Sequence, residues 1–249
     1  MSDFLKTGER LDDLNIKGLH LIQNPKGFCF GLDAVLLVHF AQAKAGESIL
    51  DLGTGTGIIP ILMSAYYPET CYQALEIQAE YVEMARRSVE YNQLQERITI
   101  CQGDLRELEK LFIPATFDRI TINPPYMNAG LVPAQRDKAI ARHEICCDLE
   151  TIIAKAVRVL KPQGSFCMVH RPNRLPEVIT TLKQYGLEPK RLRLVQPKIG
   201  EEPNLFLIEA IRGAKAYLRM EPTLVIYQEN GSYMPEISEI YRFDKAAER

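Results

Sequence analysis

Residues 117–126 read Phe-Asp-Arg-Ile-Thr-Ile-Asn-Pro-Pro-Tyr, an apolar run closed by two prolines. Phe117–Ile122 is aromatic and β-branched enough to predict a buried strand. Pro124 and Pro125 then end this strand, because neither can donate to a ladder and each forces the residue before it into extended geometry. The stretch predicts a rigid turn at the carboxyl end of a strand, where open α/β sheets hold their ligands.

The chemical groups of this turn suit the recognition of a planar amine. Asn123 and Pro124 offer oxygen atoms that accept hydrogen bonds from an NH2 group, and Tyr126 offers a ring that stacks on the planar system carrying it. The alternative is a proline-rich turn in which Asn123 only caps the strand end. The segments before residue 117 decide between these interpretations.

A glycine-rich loop follows an earlier predicted strand, Ser48–Asp51. Leu52-Gly53-Thr54-Gly55-Thr56-Gly57 comes next, and Ile58–Ala65 predicts a helix. Alternate glycines let the backbone approach a ligand closely, and the helix start is expected to point free N–H groups toward that ligand. A dinucleotide fingerprint needs glycine where this chain has Ile58, so a nicotinamide cofactor is not predicted.

Acidic residues follow the next two predicted strands. Thr70–Leu75 is followed by Glu76, whose carboxylate can accept hydrogen bonds from both hydroxyls of a ribose. Ile98–Gln102 is followed, after one glycine, by Asp104. Each acid could instead cap a helix or lie solvated at its strand end. Four predicted strands in a row nevertheless lead to a polar side chain, at Asp51, Glu76, Asp104 and Asn123.

The rest of the chain continues the alternation of strands and helices. Helices are predicted at Leu149–Leu160 and Leu175–Tyr185, with a strand at Ser165–His170 between them. Arg191–Gln196 and Asn204–Arg212 then predict two strands with no helix between them. This order predicts a mostly parallel sheet covered by helices on both faces.

Composition excludes several classes of protein. A length of 249 residues, with 46% hydrophobic and 25% charged residues, is typical of a globular protein with a large core. No apolar run approaches the ~20 residues of a membrane helix, and the N-terminus lacks the apolar stretch of a signal peptide. Six cysteines without Cys-x-x-Cys spacing predict reduced thiols in a cytoplasmic protein. Cys146 and Cys147 lie near His143 without the further ligands of a metal site, so no metal is expected. Because no apolar run is long enough to span a membrane, no membrane partner is expected either.

Basic residues outnumber acidic ones after the Asn-Pro-Pro-Tyr turn, between residues 129 and 200, although the net charge of the chain is −2. Several of them follow predicted strand ends and are expected to face the same cleft. This pattern predicts a polyanionic substrate bound partly through phosphates, and the alternative is a set of solvated surface charges. The basic residues concerned are Arg136, Lys138, Arg142, Arg171 and Arg174.

The residues before the glycine-rich loop are too few for a separate substrate domain. We expect residues 1–45 to form a cover segment packed on the ligand site. Gly18–Gln23 and Gly27–Phe30 predict two short strands joined by a turn. A helix is predicted from Ala34 to Phe40, and Asp33 is expected either to cap this helix or to contact the ligand.

Several of these segments resemble one family. The acidic residue before Gly-x-Gly-x-Gly resembles motif I of the class I S-adenosylmethionine methyltransferases. Residues 28–37, Phe-Cys-Phe-Gly-Leu-Asp-Ala-Val-Leu-Leu, resemble motif X of the methyltransferase small domain group. Residues 5–215 as a whole look like the bacterial valine-tRNA adenine-N6 methyltransferase family, chiefly through residues 9–14, 23–26, 28–37, 51–57, 123–126 and 170–174.

The resemblance implies an α/β fold of the Rossmann-like class I methyltransferase type. Its mostly parallel seven-stranded sheet would carry helices on both faces and end in an antiparallel strand pair. The methyltransferase domain would span residues 46–215, with a C-terminal extension at 216–249. The implied cofactor is S-adenosyl-L-methionine, and the implied substrate is tRNA, methylated on N6 of the adenosine just 3′ of the anticodon.

The resemblance also implies roles for single residues. Phe30 and Asp33 would lie near the methionine end of the cofactor, and Asp104 would accept a hydrogen bond from its adenine amine. The expected cofactor-binding residues are Phe30, Asp33, Asp51, Gly53, Thr54, Gly55, Gly57, Glu76, Asp104 and Asn123. The expected catalytic residues are Asn123, Pro124 and Tyr126. The expected substrate contacts are Pro125, Tyr126, Arg136, Lys138, Arg142, Arg171 and Arg174.

Three other functions stay open on the sequence alone. A release-factor glutamine methyltransferase would use the same turn on a side-chain amide, but that family carries a helical domain before motif I. A DNA adenine methyltransferase would share the turn and usually brings a large recognition domain. A non-catalytic RNA-binding protein would be expected to lose Asn123 or a loop glycine, and this chain has kept both.

Overall fold

The computed structural model describes residues 4–27, 29–124 and 149–241. The strands in these ranges are β1 (Arg10–Asp13), β2 (His20–Gln23), β3 (Ser48–Leu52), β4 (Cys71–Glu76), β5 (Ile98–Gln102), β6 (Phe117–Ile122), β7 (Leu160–His170), β8 (Leu187–Gln196), β9 (Leu205–Arg212), β10 (Arg219–Met220) and β11 (Leu224–Val225). The α-helices are α1 (Leu32–Ala41), α2 (Ile58–Tyr66), α3 (Ala79–Tyr91), α4 (Leu108–Leu111), α5 (Leu149–Val159), α6 (Leu175–Gln184) and α7 (Pro235–Tyr241).

The large sheet has the order β10-β8-β9-β7-β6-β3-β4-β5, and β11 also pairs with β8. Strand β9 runs antiparallel to both of its neighbours, and the other pairings in this sheet are parallel. The predicted α/β fold with a mostly parallel sheet and a terminal antiparallel pair is confirmed. The structure adds two short strands, β10 and β11, to the seven that the resemblance implied.

Two layers of helices cover the sheet, one on each face. Alternate side chains of a strand point to opposite faces, so Ile49 and Leu50 of β3 belong to different apolar cores. The first core packs under α1, α2, α3 and α7, and the second packs under α4, α5 and α6. Burial on both faces explains why these strands read as nearly continuous apolar runs.

The pairing of the N-terminal strands differs from the sequence prediction. Strand β2 pairs antiparallel with β1, in the register Arg10↔Gln23 to Asp13↔His20, and residues 29 and 30 are not in a strand. The N–H group of Phe30 donates to the side-chain oxygen of Gln23 and is therefore not available to a ladder. The prediction of a strand at Gly27–Phe30 was wrong for this reason.

Strand β7 begins earlier than predicted. Leu160 already pairs with Phe117, and the next pair is Arg119↔Ser165, so residues 161–164 form an irregularity within the strand. Gln163 adopts a positive φ of 62° there. The Lys-Pro-Gln-Gly sequence thus ends helix α5 as predicted, and it also makes a bulge in the strand that follows.

The described residues contain no helix that is long and apolar enough to span a membrane.

Candidate active site

The strand order places the glycine-rich loop beside the Asn123–Pro124 turn. Strand β3 pairs with β4 on one side and with β6 on the other. Strands β4 and β5 therefore extend the sheet to one side of β3, and β6 begins its extension to the other side. Ligands of open α/β sheets bind at such a switch point, at the carboxyl ends of the strands. Leu52 pairs with Ile122, so Gly53 and Asn123 leave two adjacent strand ends together. Asn123 is half-buried there, and Pro124 is buried.

Asp51 is the most perturbed acid of this site. Its carboxylate is buried, and Oδ1 accepts a hydrogen bond of 2.7 Å from the Thr121 hydroxyl, across the β3–β6 pairing. Burial raises the pKa of Asp51 to about 7, and the hydrogen bond from Thr121 opposes this rise. The other oxygen, Oδ2, and the hydroxyl of Thr54 in the adjoining loop are buried and have no partner within hydrogen-bond distance, although the Thr54 hydroxyl is near enough to oppose the rise in the Asp51 pKa as well. Unsatisfied buried oxygens at a strand end are what a bound polar ligand would satisfy.

Three backbone amides of the glycine-rich loop are already hydrogen-bonded. Gly53 and Thr54 donate to the carbonyl of Leu75, at 2.9 and 3.0 Å, and Gly55 donates to the Glu76 carboxylate at 3.0 Å. The second carboxylate oxygen of Glu76 accepts from the amide of Gln78 at 2.9 Å. These three amides therefore do not point at a ligand. The expectation of free N–H groups concerned the start of helix α2, and it stays a prediction.

This arrangement suits a ligand without phosphate groups. A phosphate site needs free amide donors, whereas this loop brings the carboxylates of Asp51 and Glu76 together. A Cβ atom added at Gly53 or Gly55 would meet no atom within 4 Å, so both glycines border open space. A nucleoside with a positively charged end fits the acids and the space, and S-adenosylmethionine has both features.

Asp104 lies at the end of β5 and has a local partner. Its carboxylate accepts from the amide of Arg106 at 2.9 Å and pairs with the Arg106 guanidinium, so it caps the 3-10 helix Leu105–Glu107. Asp104 therefore caps a helix, which was the alternative to ligand binding. A role toward the adenine amine stays a prediction.

The cover segment reaches the site along helix α3. Strand β2 lies on this helix, where the amide of His20 donates to Asn92 at 2.9 Å and the amide of Ile22 donates to Ser88 at 3.0 Å. At the first turn of the helix, a Cβ added at Gly27 would lie 3.1 Å from the hydroxyl of Tyr81. The cover segment thus runs from the last turn of α3 to its first turn, which follows Glu76.

Helix α1, the last element of the cover segment, packs beside the helix that follows the glycine-rich loop. It packs against α2, and His39 near its end contacts the hydroxyl of Tyr66, the last residue of α2, at 2.9 Å. The two helices pack against each other, and their C-terminal ends meet at this contact. Phe30 precedes α1 and packs on the first core. Asp33 lies inside the first turn, where Gly31 is the N-cap. Its carboxylate accepts a hydrogen bond of 3.0 Å from the amide of Ala34, so it bonds to a first-turn amide but does not occupy the N-cap position predicted for it.

The described substrate-side arginines already have partners. Arg171 donates from its guanidinium to the backbone carbonyl of Asn204 at 3.2 Å, and Arg174 pairs with Glu177 at 2.6 Å. Both follow β7, the strand next to β6. The remaining predicted residues, Pro125, Tyr126, Arg136, Lys138 and Arg142, lie outside the described residues, as do His143, Cys146 and Cys147.

Sequence reasoning missed three polar residues of this region. Thr121 bonds to Asp51, Gln23 bonds to Phe30, and the side-chain oxygen of Asn204 is buried without a partner. Thr121 had a usable signal, because it lies two residues before Asn123 on a strand predicted to be buried. Gln23 and Asn204 lie next to turns, where polar residues are ordinary. No group of three or more metal-ligating side chains occurs among residues 4–27, 29–124 and 149–241.

Known proteins with similar sequences are methyltransferases. Residues 31–185 match the methyltransferase small domain family. A tRNA1(Val) (adenine(37)-N6)-methyltransferase from Porphyromonas gingivalis is 32% identical over 234 residues, which are 90% of this chain and 91% of the relative. A protein of the same name from Phocaeicola vulgatus is 32% identical over 178 residues, 72% of this chain and 74% of the relative.

Known structures agree on the fold. A predicted O-methyltransferase from Agrobacterium tumefaciens superposes with a TM-score of 0.69 at 23% identity, covering 84% of this chain and 96% of that protein. A geranyl diphosphate methyltransferase in complex with S-adenosylmethionine superposes with a TM-score of 0.54 at 13% identity, covering 73% of this chain and 84% of that protein. With its glycine-rich loop and its Asn-Pro turn at adjacent strand ends, the chain belongs to the methyltransferase small domain family and is related over nine tenths of its length to the tRNA1(Val) (adenine(37)-N6)-methyltransferases.

Proposed function

We propose that this protein transfers a methyl group from S-adenosylmethionine to the exocyclic N6 of an adenosine in tRNA. By the names of its relatives, the target is adenosine 37 of a valine tRNA. The observation that carries the proposal is the adjacency of Asn123 to the acidic glycine-rich loop, through the β3–β6 pairing. A tRNA substrate would place the protein in the cytoplasm.

S-adenosylmethionine is the cofactor, and it supplies a methyl group on a positively charged sulfur atom. The acids of the loop favour its cationic end, and Asp51 and Thr54 offer the two unsatisfied oxygens. Glu76 is held in place by the amides of Gly55 and Gln78, and its carboxylate keeps lone pairs for the hydroxyls of a ribose. Gly53, Gly55 and Gly57 shape the loop around the ligand.

Asn123 and Pro124 orient the substrate amine. The exocyclic nitrogen of adenine is a poor nucleophile because its lone pair is delocalised into the ring. The side-chain oxygen of Asn123 and the carbonyl of Pro124 would accept its two N–H groups, which draws the lone pair out of conjugation and directs it at the methyl group. Burial of Pro124 and the fixed strand end hold the two acceptors in place before the substrate binds.

The contacts to the rest of the RNA remain predictions from the sequence. Tyr126 is expected to stack on the adenine, an interaction worth about 1–3 kcal/mol. Arg136, Lys138 and Arg142 are expected to contact phosphates. Extrusion of the base costs little when it lies in a single-stranded loop.

The test is transfer of a labelled methyl group from S-adenosylmethionine to unmodified total tRNA, with a release factor and single-stranded DNA as parallel acceptors. Label recovered from tRNA as N6-methyladenosine supports the proposal, and fractionated tRNA then identifies the acceptor. Label in the release factor would instead assign the same turn to a glutamine amide. Label in DNA, or no label with the cofactor bound, would contradict the proposed substrate.

A further inference from the structure

We propose that Gln23 is a positioning residue for cofactor binding, because its side chain holds Phe30, which lies between strand β2 and helix α1. The inference rests on the proposed cofactor and is independent of the RNA. Gln23 ends strand β2 and is 1% exposed, although it is polar. No part of the site described above requires a polar residue at this position.

Both ends of the Gln23 amide are hydrogen-bonded. Oε1 accepts the N–H group of Phe30 at 2.9 Å, and Nε2 donates to the carboxylate of Asp12 on strand β1. The amide therefore joins β1 to the residue that precedes α1 by two positions. A side chain with one acceptor and one donor is needed, because removing either leaves a buried group unsatisfied.

The position of Phe30 explains why this bond matters for the cofactor. On one side, Gly27 lies against Tyr81 in the first turn of α3, close to Glu76. On the other side, α1 ends beside the end of α2 and shortly before β3 begins, so its start points toward the carboxyl edge of the sheet. Gly27 and Phe30 therefore approach the carboxyl edge of the sheet, where Asp51 and Glu76 lie at their strand ends, and Gln23 fixes Phe30 there.

The first experiment compares cofactor affinity, measured by calorimetry with S-adenosylmethionine, in the wild type and in Gln23→Glu. A glutamate is isosteric, but its carboxylate faces that of Asp12 and cannot donate to it. We expect the dissociation constant to rise about tenfold or more, which is the effect of one lost hydrogen bond to a charged group. Hydrogen exchange at the amide of Phe30 should become faster in the same variant.

A second variant restores the pair with the roles exchanged. In Asp12→Asn combined with Gln23→Glu, the new amide at position 12 donates to the new carboxylate at position 23, which still accepts from Phe30. The exposed ion pair between Arg10 and Asp12 is lost, at little cost. We expect the dissociation constant to return to within about twofold of the wild-type value.

Asn92→Ala provides a matched control, because Asn92 follows helix α3 and bonds to the same cover segment. Asn92 bonds to the backbone of His20 at the far end of strand β2, so its loss should lower the melting temperature without changing cofactor affinity. Unchanged affinity in Gln23→Glu, failure of the exchanged pair to restore affinity, or an equal loss in Asn92→Ala would each refute the positioning role. A wild-type protein that does not bind the cofactor would refute the proposed function itself.

Discussion

Single residues of the site combine burial with charge. Asp51 has a carboxylate that is buried beside Thr121, with one oxygen unsatisfied. A buried carboxylate with an unsatisfied oxygen lowers the stability of the folded protein, and groups of this kind are typical of binding sites. Asn123 is half-buried and follows Ile122, which pairs with Leu52 at the end of β3.

Replacement of Asp51 by asparagine should change how stability depends on pH. Burial raises the folded-state pKa to about 7, whereas the unfolded carboxylate ionises near ~3.9. Between these values only the unfolded state releases the proton, so wild-type stability should fall as the pH rises from 4 to 7, by roughly 1.4 kcal/mol per unit of pKa difference. Urea unfolding without cofactor should show this contribution in the wild type and not in Asp51→Asn. Equal slopes would contradict the raised pKa.

Asn123→Ala should abolish methyl transfer while leaving cofactor affinity nearly unchanged. The variant removes the amide oxygen that would accept from the substrate amine, and the glycine-rich loop keeps its contacts. Single-turnover transfer to tRNA should fall by at least ~10²-fold, the usual loss for one preorganised hydrogen-bonding group. Loss of cofactor binding in parallel would show that Asn123 has a different role.

At the scale of single elements, the glycine-rich loop depends on how it joins helix α2. Gly57 is the N-cap of this helix and has a φ of 88°, in the left-handed region. A Cβ added there would lie 3.4 Å from the Cβ of Ala85 on α3. The loop, α2 and α3 therefore meet at a position where the left-handed backbone favours glycine, while an added Cβ would make an ordinary contact with α3.

Gly57→Ala should lower both stability and cofactor affinity. The left-handed conformation costs a residue with a Cβ about 1–2 kcal/mol, and relief of this strain would move the backbone that joins the loop to α2. Gly46→Ala is a matched control, because Gly46 has a φ of 78° and would meet no atom within 4 Å. We expect a similar loss of melting temperature in both variants and weaker cofactor binding only in Gly57→Ala. Equal cofactor affinity in the two variants would contradict this.

At the scale of the whole molecule, one network of charges joins the centre of the sheet to the C-terminal strands. Arg119 of β6 is buried and pairs with Glu47 and Glu209, each at 3.0 Å. Glu209 of β9 also pairs with Arg191 of β8, which pairs with Glu221 after β10. Burial alone would raise the pKa of Glu209, but the Ser165 hydrogen bond and both arginines hold it below its ordinary value.

Glu209→Gln should destabilise the protein by about 3 kcal/mol or more, because Arg119 and Arg191 lose a buried partner. The matched control is Glu236→Gln, which breaks the exposed pair with Arg193 and should cost less than about 1 kcal/mol. Glu209 contributes fully above its unfolded pKa of ~4.3, and this contribution is lost as the pH falls through its lower folded pKa. Urea unfolding should therefore show that the free energy of unfolding of Glu209→Gln is below that of the wild type at pH 7, and that the difference is smaller below pH 4. A difference that does not change with pH would contradict the role of the Glu209 charge.

The sequence predicted what depends on local pattern. The strand ends at Asp51, Glu76 and Asn123 follow from apolar runs and prolines, and the structure places them on neighbouring strands. Contacts between distant residues were not predictable in the same way. The pairing of β2 with β1, the bond from Phe30 to Gln23 and the capture of the loop amides by Leu75 and Glu76 depend on tertiary packing, which no local pattern encodes.

Strand β2 also bears on the order of events during translation. Its outer edge is closed by Ser88 and Asn92 of helix α3 rather than by another strand, and His20 and Asn92 are 72 residues apart in the chain. The N-terminal hairpin therefore leaves the ribosome well before its partner, and its backbone groups stay open to water or to a neighbouring chain until α3 has been made. Pulse-labelled exchange on stalled nascent chains should find the amide of Ile22 protected only when residue 92 has emerged.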